Sequence, residues 1–497
     1  MKSKLIIIFL LFSVSLFGQR TKMKYSEVTD TLKFGTKVTT GVYVTGATID
    51  STKLLHAGVL SSVGKDTAYF YPESYGAVVN DGTDDRAAIQ AAIDAACAKG
   101  GGIVWLSKGE YKITTSVSRG SYESGLHLCS YVSLQGQGWQ CVIKSTLTTA
   151  GKHIISTPSL ATNIKILDLQ IKSDSLPSGA AIFSQSGVSN VFINRIKIDR
   201  GTCWGILLNQ SHDCIISDSD IQNGGVCHCI EINNSNNMIL RNNNLYSNCT
   251  RNYAPARGNA IETFFNDATE GRPYSNIIEG NNCHNTGGGI TIWGDSLTKV
   301  VNNTLREITG IGIGVTTEKD FGDTTNNVGI LIMGNIIANC GFTLNTKSGI
   351  LIESGNEDIQ IIGNTIDSIY SNDAGQGGGN GIQNEAKGTI IKGNTISHCY
   401  VAGISSTGAN CVITDNYIYD TSVLTANGFH GISVSGNRCI INNNSVHDYR
   451  ATHRIDICIY SGSNDNVIVG NNCSGAATGD AIYNSGTGNV EANNKEN

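Results

Sequence analysis

A short motif built around asparagine recurs through the chain and limits the folds open to it. It reads "VVNNTL" from residue 300, "IIGNTI" from 361 and "IKGNTI" from 391. Repeats that share a minimum spacing, and that are lengthened by different amounts from one repeat to the next, are typical of a solenoid whose turns carry loops of different length. Successive motif asparagines lie 22 to 38 residues apart, at Asn243, Asn281, Asn303, Asn335, Asn364, Asn394, Asn416, Asn444 and Asn471.

Between these asparagines the sequence predicts short strands. Helical periodicity is absent, and short apolar runs are bounded by glycine, asparagine and aspartate. The 58 glycines against only 5 prolines suit a β-rich chain with many tight turns, rather than a collagen-like or disordered one. One such unit cannot bury its own core, but stacked units can. We therefore expect an all-β parallel β-helix, with asparagines stacked in its turns and isoleucines inside.

The N-terminal segments precede this repeat. Residues 1–19, "MKSKLIIIFLLFSVSLFGQ", have two lysines, an apolar core and small residues, which predicts a cleaved signal peptide and a secreted or periplasmic protein. The apolar run is short for a membrane span, and no later segment predicts membrane insertion. Residues 20–70 are an extension without an assigned role. The formal charge of −6 without a long basic run argues against nucleic acid as a partner.

Residues 71–113 contain one helical pattern. Ile89, Ile93 and Cys97 recur at four-residue spacing, which predicts an amphipathic helix over 84–98. Asp84 and Asp85 would serve its N-terminus, and the glycines at 100–102 would end it. "IVWLSKGEYKI" then indicates two short strands. At the open end of a solenoid, such a helix would cover strands that could otherwise aggregate.

The run "YGAVVNDGTDDRAAIQAAIDAACAKGGGIVWLSKGEYKI" resembles the N-terminal signature of the pectate lyase superfamily. That resemblance implies a right-handed parallel β-helix over 71–497, with an N-terminal capping α-helix and a carbohydrate ligand. The family includes polysaccharide lyases, glycoside hydrolases, sugar epimerases and phage tailspikes. The resemblance therefore implies an architecture and a polysaccharide partner rather than one reaction.

The 15 cysteines admit two readings in an exported protein. Because many occupy equivalent positions of the repeat, and free cysteine packs well in an apolar interior, we favour a buried cysteine stack over a disulfide framework. No zinc-finger spacing is present, and no metal site is predicted from the cysteines.

Two glutamates stand out because they occupy the same strand position on successive units. The isoleucine before each should point inward, so Glu231 and Glu262 should point outward, about 4.8 Å apart at the backbone. Asn233, Phe264 and Trp293 lie two places further along their strands. Carboxylates beside aromatic side chains are typical of a sugar-binding surface. Like charges this close raise one pKa, and a separation of about 5 Å suits a retaining glycosidase.

Long insertions flank this position and are expected to form the walls of a groove. The predicted catalytic residues are Glu231, Glu262, His228 and Tyr253. The predicted substrate contacts are Arg251, Arg257, Phe264, Arg272, Trp293 and Lys319. Other readings remain open, because the glutamates could hold a structural calcium ion or be two solvated charges. The aromatic rings could equally cover a loop.

Several motifs of known superfamily members are absent. "GGGITIWGDS" stands where a polygalacturonase-like member would have Gly-His-Gly, and it contains no histidine. The Asp-Pro-His-Glu run of mannuronan epimerases and a standard calcium-binding aspartate set are also absent. We expect a glycoside hydrolase acting through the glutamate pair. The alternatives are a polysaccharide lyase, with Ca²⁺ as its cofactor, and a non-catalytic glycan binder. Oligomeric state cannot be read from the sequence.

Overall fold

Three long sheets run side by side in the computed structural model and form a right-handed parallel β-helix. The structure describes residues 68–119, 122–147, 151–174, 179–199, 203–223, 227–247, 258–265, 272–317, 326–342, 348–370, 378–423, 428–450, 453–476 and 481–496. All of them fall within one compact unit, 67–497. The predicted signal peptide and nearly all of the 20–70 extension lie outside the described residues.

Coils of the solenoid contribute one strand to each sheet, and neighbours along each sheet are successive coils. The exception is the start of the third sheet, where Val117–Arg119 and Tyr122–His127 form an antiparallel hairpin. In the described residues the first sheet comprises Tyr69–Phe70, Gly102–Trp105, Val132–Gln135, Thr162–Leu167, Ser189–Asn194, Ile215–Ser217, Ile239–Arg241, Ile277–Glu279, Lys299–Val301, Leu331–Met333, Gln360–Ile362, Ile390–Lys392, Val412–Thr414, Ile440–Asn442, Val467–Val469 and Val490–Ala492. The second comprises Gly109–Ile113, Cys141–Ser145, Gln170–Ser173, Lys197–Asp199, Asp220–Asn223, Asn244–Ser247, Asn282–His284, Thr304–Arg306, Ile336–Cys340, Thr365–Ile369, Thr395–Ser397, Tyr417–Tyr419, Ser445–His447, Asn472–Ser474 and Lys495–Glu496. The third comprises Val117–Arg119, Tyr122–His127, Lys152–Thr157, Ala180–Ser184, Trp204–Asn209, Ile230–Asn233, Asn259–Phe264, Gly288–Trp293, Ile313–Thr316, Ile350–Ile352, Ile382–Asn384, Ile404–Ser406, His430–Val434, Ile455–Ile459 and Ile482–Asn484.

The first strand, Tyr69–Phe70, pairs with Gly102–Trp105, so the β-helix starts two residues before the predicted boundary at 71. A short 3₁₀ helix, Pro72–Tyr75, and one α-helix, Arg86–Ala98, follow it. Ile89 and Ile93 of the α-helix belong to the same buried core as the first coils. Asp85 makes no side-chain cap on this helix, contrary to expectation. Its carboxylate instead accepts the backbone N–H groups of Val78 and Lys112.

The predicted asparagine stack is confirmed as a continuous hydrogen-bonded ladder. In each step the side-chain amide donates to the side-chain oxygen of the next asparagine, as in Asn335 to Asn364 at 2.9 Å and Asn364 to Asn394 at 3.0 Å. The ladder runs from Asn243 to Asn471 and extends to Asn494. The residue before each of these asparagines has a φ between 53° and 72°. Only glycine, asparagine and aspartate occur there, because they tolerate the left-handed region best.

The interior is a stack of apolar side chains, mostly isoleucine, that runs through the described coils. The ten free cysteines among the described residues are all buried, which agrees with the predicted cysteine stack. Two disulfides are also present, Cys97–Cys129 and Cys203–Cys227, so the stack is not the whole account of the cysteines. Among the described residues, none of the helices combines the length and the apolar character needed to cross a membrane.

Candidate active site

The two glutamates lie side by side on the outer face of the third sheet. Strand Ile230–Asn233 pairs with Asn259–Phe264 in parallel, and Glu231 is in register with Glu262. The flanking Ile230, Ile232 and Ile261 are fully buried on the inner side. Strand alternation therefore turns both carboxylates away from the core, as the sequence predicts. Glu231 is nevertheless only 8% exposed, so the pair lies in a partly covered site.

His228 completes a cluster with these two acids. Its Nε2 lies 3.6 Å from Glu231 Oε2 and 3.5 Å from Glu262 Oε1. One ligand atom from each of the three residues lies within 4.8 Å of the others. On the opposite side of the ring, Nδ1 accepts the backbone N–H of Asn259 at 3.0 Å. A neutral histidine with an accepting Nδ1 carries its proton on Nε2, the atom that faces the carboxylates.

Each carboxylate has a further partner that the sequence analysis did not identify. The indole N–H of Trp204, on the preceding coil, donates to Glu231 Oε2. The side-chain amide of Asn259 donates to Glu262 Oε2. The Cys203–Cys227 disulfide joins the residues immediately before Trp204 and His228. These contacts hold the two acids in separate environments, although the acids are neighbours.

Burial determines the protonation of the cluster. It raises the pKa of Glu231, and hydrogen bonds from Asn233 and Trp204 offset part of that effect. It lowers the pKa of His228 to about 4, so the imidazole is neutral near pH 7. The environment thus favours an uncharged histidine and a carboxylic acid that holds its proton to higher pH than usual.

Phe264 and Trp293 lie next to the glutamates, as predicted. Their rings meet edge to face, with centroids 6.0 Å apart and an interplanar angle of 78°. Asn233 is in register with Phe264, and its amide donates to Asn209 at 3.0 Å. Within the described part of the chain, Asn233 Oδ1 and Trp293 Nε1 are buried and have no hydrogen-bond partner. The site therefore offers an aromatic surface beside one unused acceptor and one unused donor.

The cluster does not fit a calcium ion. Calcium takes about six to eight oxygen ligands, and this set offers two carboxylates and one imidazole. Any metal would also need the lone pair of His228 Nε2, and hence a proton on Nδ1. Nδ1 instead accepts the Asn259 N–H. The calcium expected for a lyase remains a prediction that these residues do not favour.

Of the remaining predicted site residues, the structure describes only Arg272. Arg272 donates to Ser296 Oγ at 3.3 Å, in a turn of the solenoid. Tyr253, Arg251, Arg257 and Lys319 lie outside the described residues. The register also adds a strand to the glutamate face that the sequence analysis did not identify. Strand Ile313–Thr316 lies between the strands of Thr291 and Leu351, and it places Gly314 in the column of Glu231 and Glu262.

Comparison with protein families gives a match over the first part of the β-helix. The model of the family described as rhamnogalacturonase A/epimerase, pectate lyase-like, matches residues 73–330.

Similarity to curated proteins is confined to short stretches. The chain is 32% identical over 170 residues to mannuronan C5-epimerase AlgE6 of Azotobacter vinelandii, which is 31% of this chain and 19% of that protein. It is 44% identical over 73 residues to AlgE1 of the same organism, 15% of this chain and 5% of that protein. The aligned stretches thus span a fifth or less of these two relatives.

Solved structures share the fold over most of the chain. The A-module of AlgE6 from Azotobacter vinelandii aligns with a TM-score of 0.51 at 18% identity, over 86% of this chain and 99% of that one. The tailspike of E. coli bacteriophage HK620, in complex with a pentasaccharide, aligns with a TM-score of 0.63 at 15% identity, over 86% and 80%. At these identities the likeness shows the architecture alone.

Proposed function

The chain belongs to the rhamnogalacturonase A/epimerase family of pectate-lyase-like proteins, and from that premise we propose that it hydrolyses a glycosidic bond at the His228–Glu231–Glu262 cluster. The family is carbohydrate-active and is related to mannuronan epimerases and tailspikes. Export through the predicted signal peptide is part of this proposal, since it would bring the enzyme to extracellular polysaccharide.

The observation that carries the proposal is the paired position of the two glutamates. They are in register on adjacent coils, and facing oxygens of the cluster lie within 4.8 Å. Retaining glycosidases keep their carboxyl groups about 5 to 5.5 Å apart, whereas inverting enzymes need about 6.5 to 9.5 Å to admit a water molecule. The separation favours the retaining arrangement.

The environments of the acids suggest their roles. Glu231, whose pKa is raised by burial, would protonate the glycosidic oxygen. Glu262, held by the Asn259 amide, would attack the anomeric carbon and form a glycosyl ester as the leaving alcohol departs. Water, activated by the Glu231 carboxylate, would then cleave the ester and restore both groups. His228, through its Nε2–H, would hold the two carboxyl groups in place.

The surface beside the acids supports a sugar substrate. Phe264 and Trp293 would pack against the apolar face of a pyranose ring. Sugar hydroxyls both donate and accept hydrogen bonds, so they would satisfy Asn233 Oδ1 and Trp293 Nε1.

A uronate-directed reaction, either C5 epimerisation or β-elimination, is the second candidate. It is favoured by the curated relatives, which are mannuronan C5-epimerases. Two observations count against it. The described cluster sets two carboxyl groups where a uronate carboxylate would have to approach, and His228 with its proton on Nε2 has no basic nitrogen facing them. In this candidate, the base and the cations would be Tyr253, Arg251, Arg257 and Lys319.

Products from a defined set of polysaccharides would separate these functions. The set is polymannuronate, polygalacturonate, rhamnogalacturonan, dextran, xylan and glucomannan. We expect new reducing ends without the ultraviolet absorbance of an unsaturated sugar. Absorbance would indicate elimination, and uptake of deuterium at C5 without cleavage would indicate epimerisation. Either result would overturn the hydrolase.

The variants Glu262→Gln and Glu231→Gln test the residues. Each should lower kcat by at least about 100-fold, because each removes acid–base or nucleophilic function. Glu279→Gln is the matched control, since Glu279 is an exposed glutamate on the first sheet. Hydrolysis at an undiminished rate in Glu262→Gln would exclude the glutamate mechanism.

A further inference from the structure

The column of outward residues that contains the glutamates continues along the third sheet. Each member pairs in register with the next, so the column follows the solenoid axis. From Glu262 it passes through Thr291, Gly314, Leu351, Gln383, Ser405 and Ser433. At about 4.8 Å per coil, Gln383 lies roughly 19 Å and Ser433 roughly 29 Å from Glu262.

One member of this column lacks a side chain that the fold would accept. A Cβ added at Gly314 would meet nothing closer than 3.6 Å, which is ordinary contact. At Gly349, by contrast, it would lie 2.7 Å from the carbonyl oxygen of Gly381 on the next coil. Packing therefore explains the second glycine but not the first. Gly314 and the next member of the column, Leu351, are nevertheless buried, so this part of the column is covered.

A cavity of about 210 Å³ lies further along this column, around Ser405 and Ser433. Gln383, Ser405 and Ser433 form its floor, since they belong to the column, and Phe429 and Tyr460 also line it. Among the described residues, its lining contains amides, hydroxyls and aromatic rings, together with His430 and without a carboxylate or an ammonium group. This composition matches the uncharged hydroxyls and the apolar face of a sugar.

His430 gives the cavity an unused hydrogen-bond acceptor. The residue is only 6% exposed, and its Nδ1 has no hydrogen-bond partner among the described residues. Burial and the nearby charge of Arg454 lower the pKa of His430 to about 4, while a hydrogen bond to the Ile455 backbone acts in the opposite direction. A buried acceptor without a donor destabilises the folded protein. A ligand hydroxyl would remove that destabilisation.

Tyr460 provides an aromatic wall beside this acceptor. Its ring meets the His430 ring edge to face, with centroids 5.9 Å apart and an interplanar angle of 72°. Tyr460 is 42% exposed, so part of its ring is available to a ligand. The Gln383 oxygen is held by Ser348 and Asn380, which fixes the orientation of its amide.

We infer that the cavity around His430, Ser433 and Tyr460 is a second glycan-binding subsite, which takes a hydroxyl-bearing pyranose unit. Binding at this cavity stands independently of catalysis. Its link to the glutamates rests on the proposed function: a polysaccharide long enough to reach both places would occupy them at once, and cleavage would favour long chains.

Binding is tested in the full chain with Glu262→Gln, so that the result does not depend on turnover. The probes are the six polysaccharides named above, each cast into a native gel. Tyr460→Ala should raise the dissociation constant for a retarding polysaccharide by about three- to tenfold, through loss of ring contact. Ser433→Tyr, which fills the cavity, should act in the same direction.

Tyr417→Ala is the matched control. Tyr417 is 38% exposed, lies on the second sheet away from the column and does not line the cavity. It should leave retardation unchanged, and thermal unfolding should show that all variants are folded. Equal retardation of the parent and both cavity variants, or no retardation of the parent by any of the six, would overturn the subsite.

The link to the glutamates has a separate readout in the active chain. Tyr460→Ala should raise KM for the polymer and leave KM for a disaccharide or trisaccharide of the same sugar unchanged. An equal rise for long and short substrates would contradict a distal position. If the proposed hydrolysis is wrong, the unsubstituted chain will show no cleavage. The gel experiment measures binding alone, so its result would still stand.

Discussion

At the residue scale, one backbone hydrogen bond sets the chemistry of the histidine between the two glutamates. The Asn259 N–H occupies Nδ1 of His228, which directs the ring proton towards the carboxyl groups. Without the Asn259 contact, the two glutamates could share a metal ion or a charged imidazole. Trp204 has a comparable influence on Glu231, because its N–H stabilises the carboxylate form.

Replacing Trp204 by phenylalanine should therefore raise the pKa of Glu231. If Glu231 is the general acid, activity falls as pH rises through that pKa. Loss of the hydrogen bond should move this alkaline limb to higher pH by about one unit. The pH dependence of kcat measures the shift.

The control for this change is Trp139→Phe. Trp139 also uses its indole N–H, on the Arg195 carbonyl, but it is exposed and away from the glutamates. A limb that stays in place in Trp204→Phe, or moves to lower pH, would show that Glu231 does not act as the acid.

At the element scale, the asparagine ladder ties each turn of the solenoid to the next. Asn364 accepts the backbone and side-chain N–H groups of Asn335 and donates to Ile332 and Asn394. Because the residue is 1% exposed, water cannot replace these bonds. Asn364→Ala should lower the free energy of unfolding by about 3 kcal/mol or more.

The matched variant is Asn494→Ala, at the C-terminal end of the ladder. Asn494 accepts from Asn471 and donates to Ile468, but it is half-buried and has no described asparagine beyond it. Its loss should cost clearly less in urea unfolding. Equal costs for the two variants would mean that the ladder does not stabilise through its buried amides.

At the scale of the whole molecule, buried neutral histidines should control stability in mild acid. Burial lowers the pKa values of His153, His228 and His430 to about 4. The unfolded chain takes up these three protons below about pH 6.5, and the folded chain does not. Stability should therefore fall as pH drops from 6.5 towards 4.

Buried acids oppose this trend only in part. The pKa of Asp295 is raised to about 6 by burial, so its folded form gains a proton in the same window, and Glu231 and Asp456 act in the same direction. The net loss should be roughly 1 to 3 kcal/mol per pH unit at its steepest. Urea unfolding at several pH values between 7 and 4.5 would measure it.

His153→Asn should make this pH dependence shallower. Asparagine can still accept the Ala180 N–H that His153 Nδ1 accepts, but it takes up no proton. If the stability of the unsubstituted chain stays constant or increases as the pH is lowered from 6.5 to 5, the assignment of these histidines as buried and neutral is contradicted.

The sequence by itself determined the repeat and its register. The spacing of the asparagines requires stacked coils, and strand alternation then puts Glu231 beside Glu262 and Phe264 beside Trp293. These features depend on local periodicity, which a single chain displays directly. The same reasoning did not identify Gly314 as a member of this column, because glycine gives the strand "IGVT" no side chain at the position of the glutamates.

Only the tertiary structure decided what surrounds the glutamates. Trp204 reaches Glu231 from the preceding coil, and Asn259 contacts both His228 and Glu262. The cavity at His430 combines residues from several coils. Such contacts depend on side-chain conformation and on burial, which set both the pKa values and the hydrogen-bond partners. Periodicity in the sequence fixes which residues share a face, but not which of their atoms meet.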